Sequence, residues 1–204
     1  PLASVLVNAA VGYHDEPSAL GSIVQPGMLH ILGNTILLSV LVVAFATLMA
    51  APLAFLRSWT RFSRANWIEI VIMIPFMTPP FAAAMAWMDF TRRGGVAEML
   101  LGHGAGKLAH DAIYSVWGMA FIMAAELFPF LYLILRTCLN SIPASTLEMA
   151  QIAGASRWQQ AVRIIAPNII GPFSLGALII FIKAAGEFGT PVTLGNAIGY
   201  KVLV

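Results

Sequence analysis

Charge is what this sequence has least of: Asp, Glu, Lys and Arg make up 10% of 204 residues while 59% are hydrophobic, against roughly 25% charged in soluble domains. A soluble globule is excluded, and a chain living in a lipid bilayer is expected. The net charge of +2 is too small and too scattered for a nucleic-acid partner. Cysteine is nearly absent. Cys138 alone rules out an internal disulfide and reads as a small packed side chain. No initiator Met precedes Pro1, nothing near the start has the pattern of a signal peptide, and the chain stops within Lys201-Val202-Leu203-Val204, so a piece of a longer protein is expected.

Enzymatic machinery is missing too. Gly102-His103-Gly104-Ala105-Gly106-Lys107 looks at first like a phosphate loop, but only three residues separate Gly102 from Gly106, and Leu108 stands where a Mg²⁺-binding hydroxyl belongs. His103 and His110 lie seven apart in an expected wet loop over 89–111, with His14 and His30 remote, so they lack metal-site spacing and read as solvated. No nucleophile, base and orienter set is present. The expectation is no enzyme, no metal site and no cofactor in this chain.

Long apolar runs are abundant. A span needs about 20 apolar residues, and four are expected, at about 29–56, 70–88, 112–135 and 164–186, in one transmembrane domain over residues 1–204. The fold class is all-α, a polytopic helix bundle. Arg57, Arg61, Arg64, Arg136, Arg157 and Arg163 fall in or beside two loops, against Arg92, Arg93, Lys107 and Lys201 in the others, which puts the first set in the cytoplasm. Pro75, Pro79 and Pro80 remove three helix donors and should kink or partly unwind the second span toward its far end. Either this backbone lines a pathway, or it is a bent packing helix. Glu126, alone in the third span, must face protein, water or a partner; pathway contact and structural pairing both satisfy that. Gly171, Gly176 and Ala177 should let a neighbouring helix approach. Lys183 and Glu187, four apart, either pair or send one side chain to the interface.

Between the last two spans lies a polar stretch, with the loop placed at about 141–163. Ser145 with Glu148, and Ser156 with Gln159, have the spacing of two capping boxes, Pro143 suits a first turn, and Gly154 sits where the first helix should stop. Two short helices joined by a glycine elbow are expected. The residues alone leave open a docking element or an amphipathic connector on the bilayer surface.

Glu148, Ala150, Gly154, Ile164 and Pro167 fall on the spacing of the EAA loop, and the chain resembles the core of type I ABC importer permeases, with Met149 and Ala166 departing from the motif. The resemblance implies a multi-pass protein of the bacterial inner membrane whose loop at Glu148, Ala150, Gly154, Ile164 and Pro167 docks on ABC ATPase subunits, ATP being bound by that partner. It also implies an extracytoplasmic substrate-binding protein and a second permease half or subunit. Pro75, Pro79, Pro80, Glu126 and Glu187 are the candidate pathway residues. The segment Glu187-Phe188-Gly189-Thr190-Pro191 with Leu194-Gly195 is most similar to ferric-iron permeases, whose relatives carry polyamine, phosphonate or sulfate. A different class, an ion-coupled secondary transporter using Glu126, stays open.

Overall fold

The structure, a computed structural model, describes residues 26–59 and 66–203. Arg61 and Arg64, which contributed to the inside-positive count, lie outside the described residues, as does everything before Pro26. The chain is helical, with no strand among the described residues: α1 Pro26–Trp59, α2 Asn66–Met73, a 3₁₀ turn Pro75–Met77, α3 Pro80–Thr91, α4 Val96–Leu101, α5 His103–Ile113, α6 Val116–Ser141, α7 Ala144–Ile152, α8 Arg157–Gln160, a π turn Ala161–Ile165, α9 Ala166–Ala185, a second π turn Pro191–Gly195, and α10 Asn196–Ile198. Among the described residues three helices are long and apolar enough to cross a membrane: Gly27–Ser58, Val116–Ser141 and Arg157–Ala185.

The second of these is α6, and the others gather round it. It begins at 116 rather than 112 because Ser115, in extended conformation, caps it by accepting from the Gly118 N–H at 3.1 Å. Met119, Ile122, Met123, Leu131 and Tyr132 are fully buried along it. The most extensive contact is with α1, whose Leu38, Val42, Ala46, Ala50 and Ala54 are all buried; a spacing of four stacks them on one face, and the small residues bring the helices close. Thr35, Ser39 and Thr47 return their hydroxyls to the carbonyl four residues earlier, so these three donors are paired within the helix at membrane depth. Against α9 the close approach is at Gly176, where a Cβ would lie 2.9 Å from Ile134 Cδ1 and 3.0 Å from Leu131 Cδ1. Gly171 plays no such part: it is exposed, with nothing within 4 Å of the place its Cβ would take. Outward faces stay apolar, with Leu37, Val40 and Leu48 on α1 and Leu175, Leu178 and Ile182 on α9 exposed, a surface that water would disfavour.

The expected span over 70–88 is not one kinked helix. Trp67–Met77 and Pro80–Thr91 meet at 98°. Thr78 (ψ 132°) and Pro79 (ψ 135°) are extended, as residues before proline should be. Ile74, before Pro75, stays helical, so consecutive prolines at 79 and 80 make the turn, and the break sits mid-segment rather than at its far end.

One further expectation changes. Residues 96–113 form α4 and α5 rather than an open loop, while His103 remains exposed, as a solvated side chain should be. His103 contacts Glu98, and His110 Nδ1 lies 3.1 Å from the Thr91 carbonyl oxygen, with its ring stacked on Tyr114 at 4.2 Å. The Gly94 N–H, donating to Glu98 at 2.6 Å, is the main reason that carboxyl is held below the usual range. At the other end of the sequence, the tail is stapled to α1. Tyr200 donates to the Asn34 carbonyl at 3.0 Å, Asn34 Nδ2 to the Lys201 carbonyl at 3.0 Å, and the Leu203 N–H to Thr35 Oγ1 at 2.9 Å.

Candidate functional site

Two places collect the residues singled out by sequence. The first is the polar elbow between α7 and α8. α7 ends in a Schellman motif: the Gly154 N–H donates to the Gln151 carbonyl and the Ala155 N–H to the Ala150 carbonyl, both at 2.9 Å, with Gly154 at φ +80°. Nothing lies within 4 Å of a Cβ at Gly154, so the requirement for glycine there is conformational, not steric. The chain then re-enters helix through a full capping box. Ser156 Oγ accepts from the Gln159 N–H at 3.2 Å, and Gln159 Oε1 accepts from the Ser156 N–H at 2.8 Å.

The other expected capping box does not form. Pro143 is the N-cap of α7, at φ −63° and ψ 134°, with no side-chain cap bond. Ser145 and Glu148 therefore fall inside the helix, and both are exposed. Proline, lacking an N–H and preset in φ, wins the start position from the serine two residues on.

The second helix of the elbow is not short. α8, the π turn and α9 form one continuous helix of 29 residues, so the elbow is joined without a hinge loop to a membrane-length helix. Ile164 sits half-buried in the π turn and Pro167 is exposed just after it. In the turn the Ala166 N–H reaches back five residues to the Ala161 carbonyl, and this local change of register accommodates a proline that has no N–H to give. Around the elbow Met149 is 62% exposed, Ile152 87% and Trp158 77%, three large apolar side chains on an otherwise polar loop.

The second place is a cleft of about 290 Å³ lined by Phe76, Thr78 and Pro80 of the broken segment, Met123, Glu126 and Leu127 of α6, and Lys183 and Glu187 at the end of α9. A neighbouring cavity of about 300 Å³ adds Pro75 and Trp87 on the other side of Glu126. The structure thus brings Pro75, Pro80, Glu126 and Glu187 together; Pro79 makes the bend itself and is exposed. Glu126 is 7% exposed, and its Oε1 has no hydrogen-bond partner. Lys183 and Glu187 do not pair. The Lys183 ammonium lies 5.5 Å from the Phe76 ring centroid, and Glu187 accepts from the Thr190 N–H at 3.0 and 3.3 Å. Close approach of that loop depends on Gly189, where a Cβ would be 2.9 Å from the Phe81 nitrogen.

Sequence reading missed a third group. Glu69 on α2 contacts Arg136 on α6 and lies 3.9 Å from Arg57 at the end of α1, tying three helices together. Only the sign of the charges could have hinted at it, since 57, 69 and 136 are related by no local spacing.

The family described as "Binding-protein-dependent transport system inner membrane component" matches residues 43–204. Among curated proteins, the chain is 27% identical over 175 residues to a putative ferric transport system permease protein of Haemophilus influenzae, covering 85% of this chain and 27% of that one. It is 28% identical over 175 residues to the ferric transport system permease protein of Actinobacillus pleuropneumoniae, covering 85% and 25%. With the sulfate transport system permease protein of Escherichia coli the identity is 24% over 153 residues, covering 74% and 53%. The chain therefore spans about a quarter of the length of the two ferric relatives and about half of the sulfate one.

Proposed function

This chain belongs to the family of binding-protein-dependent inner membrane components, the ABC importer permeases, and from that premise we propose that it forms the membrane pathway of an ATP-driven importer. In this reading an extracytoplasmic binding protein delivers cargo. ABC ATPase subunits, which carry the ATP, grip the elbow of α7 and α8, and a second permease half or subunit completes the pathway. The observation that carries it is the elbow: a rigid, self-capped turn at Gly154 offers Met149, Ile152 and Trp158 to a partner and continues without interruption into a membrane-length helix. Movement of a docked ATPase would reach the spans directly. An ion-coupled transporter working through Glu126 leaves this elbow without a task.

For cargo we propose ferric iron. Two relatives named for ferric transport support it, and so do the carboxylates of Glu126 and Glu187 in the cleft, which favour a cation at membrane depth. The test is reconstitution with the ATPase and binding proteins, measuring ATP hydrolysis on addition of binding protein loaded with Fe³⁺, putrescine, 2-aminoethylphosphonate or sulfate. Stimulation by the iron-loaded protein is expected. Stimulation by a loaded anion but not by iron rejects the cargo and keeps the importer; no stimulation by any of them from an intact complex rejects the importer.

A further inference from the structure

We propose that the cleft between the proline break, α6 and the end of α9 is a cation-binding site on the pathway, and that the Lys183 ammonium is its resting occupant, displaced when cargo arrives. This rests on the importer reading above.

The argument begins with Glu126. A buried carboxylate in apolar surroundings is costly unless something compensates its charge or polar atoms, yet its Oε1 has no hydrogen-bond partner. It faces both cavities, so whatever compensates it must come from that space. Glu187 contributes a second carboxylate, and with only the Thr190 N–H donating to it, it keeps lone pairs free for a further partner.

Against these two acids the cleft lining has one formal cation, Lys183. It makes no ion pair within 4 Å with either of them among the described residues. Its ammonium rests instead over Phe76, a contact that is weak at an exposed site, on a flexible four-carbon stem. That is a weak latch. Two carboxylates and one ammonium leave the lining one negative charge in excess, which an incoming cation neutralises and an anion aggravates.

Space points the same way. At roughly 30 Å³ per water molecule, a cleft of about 290 Å³ holds a hydrated metal ion or an extended alkylammonium with its waters. Phe76, Met123 and Leu127 form apolar walls, so the site offers charge without a cage of oxygen ligands. Such a site binds and releases rather than stores. With Lys183 in place, small cations meet a like charge at the mouth; a cargo of higher charge, or one delivered at high local concentration, pushes the ammonium aside.

The test uses the purified full-length permease complex titrated with Tb³⁺, whose luminescence is excited through indole. Trp87 lines the cavity on the far side of Glu126 and should sensitise an ion held there. The expected result is a saturable component lost in Glu126→Gln and weakened in Glu187→Gln. In Lys183→Met, which keeps the stem and removes the charge, it should tighten by about tenfold or more as a like charge disappears. Lys183 is exposed, so that variant should fold even where Glu126→Gln does not. An unchanged titration in Lys183→Met overturns the resident-ammonium claim, and a component that persists in a folded Glu126→Gln overturns the site. Competition by Fe³⁺ or by putrescine identifies a metal or an alkylammonium cargo; displacement of Tb³⁺ by sulfate bound at Lys183 overturns cation selectivity. ATPase stimulation by binding protein, measured on the same preparation, separates the readings. Stimulation without a Glu126-dependent Tb³⁺ signal sinks the site alone, and failed stimulation sinks the importer whatever Tb³⁺ does.

Discussion

Among the described residues two sharp turns carry the residues singled out by sequence, at Gly154 in the polar elbow and across Pro75–Pro80 in the broken segment, and they are closed by different means. At Gly154 every bond that shapes the turn comes from residues within six positions: the Schellman pair to Ala150 and Gln151, and the Ser156–Gln159 box. The proline break has local bonds too, the Thr78 N–H to the Pro75 carbonyl and the Ala83 N–H to the Pro79 carbonyl, both at 3.1 Å, but it is held from outside as well. Lys183 leans on Phe76, and Gly189 admits its loop against Phe81. A locally closed turn keeps its shape while partners come and go. A turn that distant elements also hold shifts when they move, which is the property a pathway needs and a docking surface must avoid.

The sharpest way to break this contrast is at Gly154. Gly154→Val places a β-branched residue at φ +80°, at a cost of about 3 kcal/mol in local strain. Stimulated ATPase should fall by about tenfold or more while membrane insertion is kept. Gly154→Asn, which tolerates the left-handed region, should retain most of the coupling; equal loss in both would make the requirement one of size rather than conformation.

Next in size is Gly189→Ala. Its Cβ meets the Phe81 backbone, so the break must shift, with a destabilisation of about 2 kcal/mol as in other overpacked sites. Thermal unfolding in detergent should show this, and transport should suffer more than ATPase stimulation. A larger loss of stimulation than of transport would mean that the two turns are not separable.

Smallest is the pair of serines. Ser156→Ala removes a formed cap and should cost about 1 kcal/mol, whereas Ser145→Ala removes none and should stay within about 0.5 kcal/mol. Hydrogen exchange of the elbow amides reads the difference. Equal effects would return Ser145 to a capping role.

The same division governs what could be read in advance. Gly154 and the Ser156–Gln159 box were legible because their causes are neighbours in sequence. Long apolar runs announced α1, α6 and α9 for the same reason. Ser145–Glu148 misled because two start signals, Pro143 and Ser145, stood side by side and spacing alone does not rank them. The triad of Glu69 with Arg57 and Arg136 and the parting of Lys183 from Glu187 depend on which helices meet, and no local pattern encodes that, whereas the prolines announced a break in the second span though not its angle of 98°. Residues 89–111 were read as an open loop because glycines there suggest flexibility, whereas Gly106 serves packing: its Cβ would fall 2.6 Å from the Glu98 Cα.

The unbroken helix from Arg157 to Ala185 packs on both α1 and α6, with a close approach where Gly176 meets Leu131 and Ile134, and a rod that tilts about such a contact is a lever with a fulcrum. From Arg157 to Gly176 is 19 residues and from Gly176 to Ala185 is 9, arms of about 28 and 14 Å at 1.5 Å per residue. A sideways displacement of about 4 Å at the elbow arrives at the far end as about 2 Å in the opposite direction. That end carries Lys183, with Glu187 just beyond it. A shift of that size, set against Glu126 on α6, is enough to part an ammonium from an aromatic ring: a displacement of the elbow is geared down and reversed into a small stroke beside the cleft.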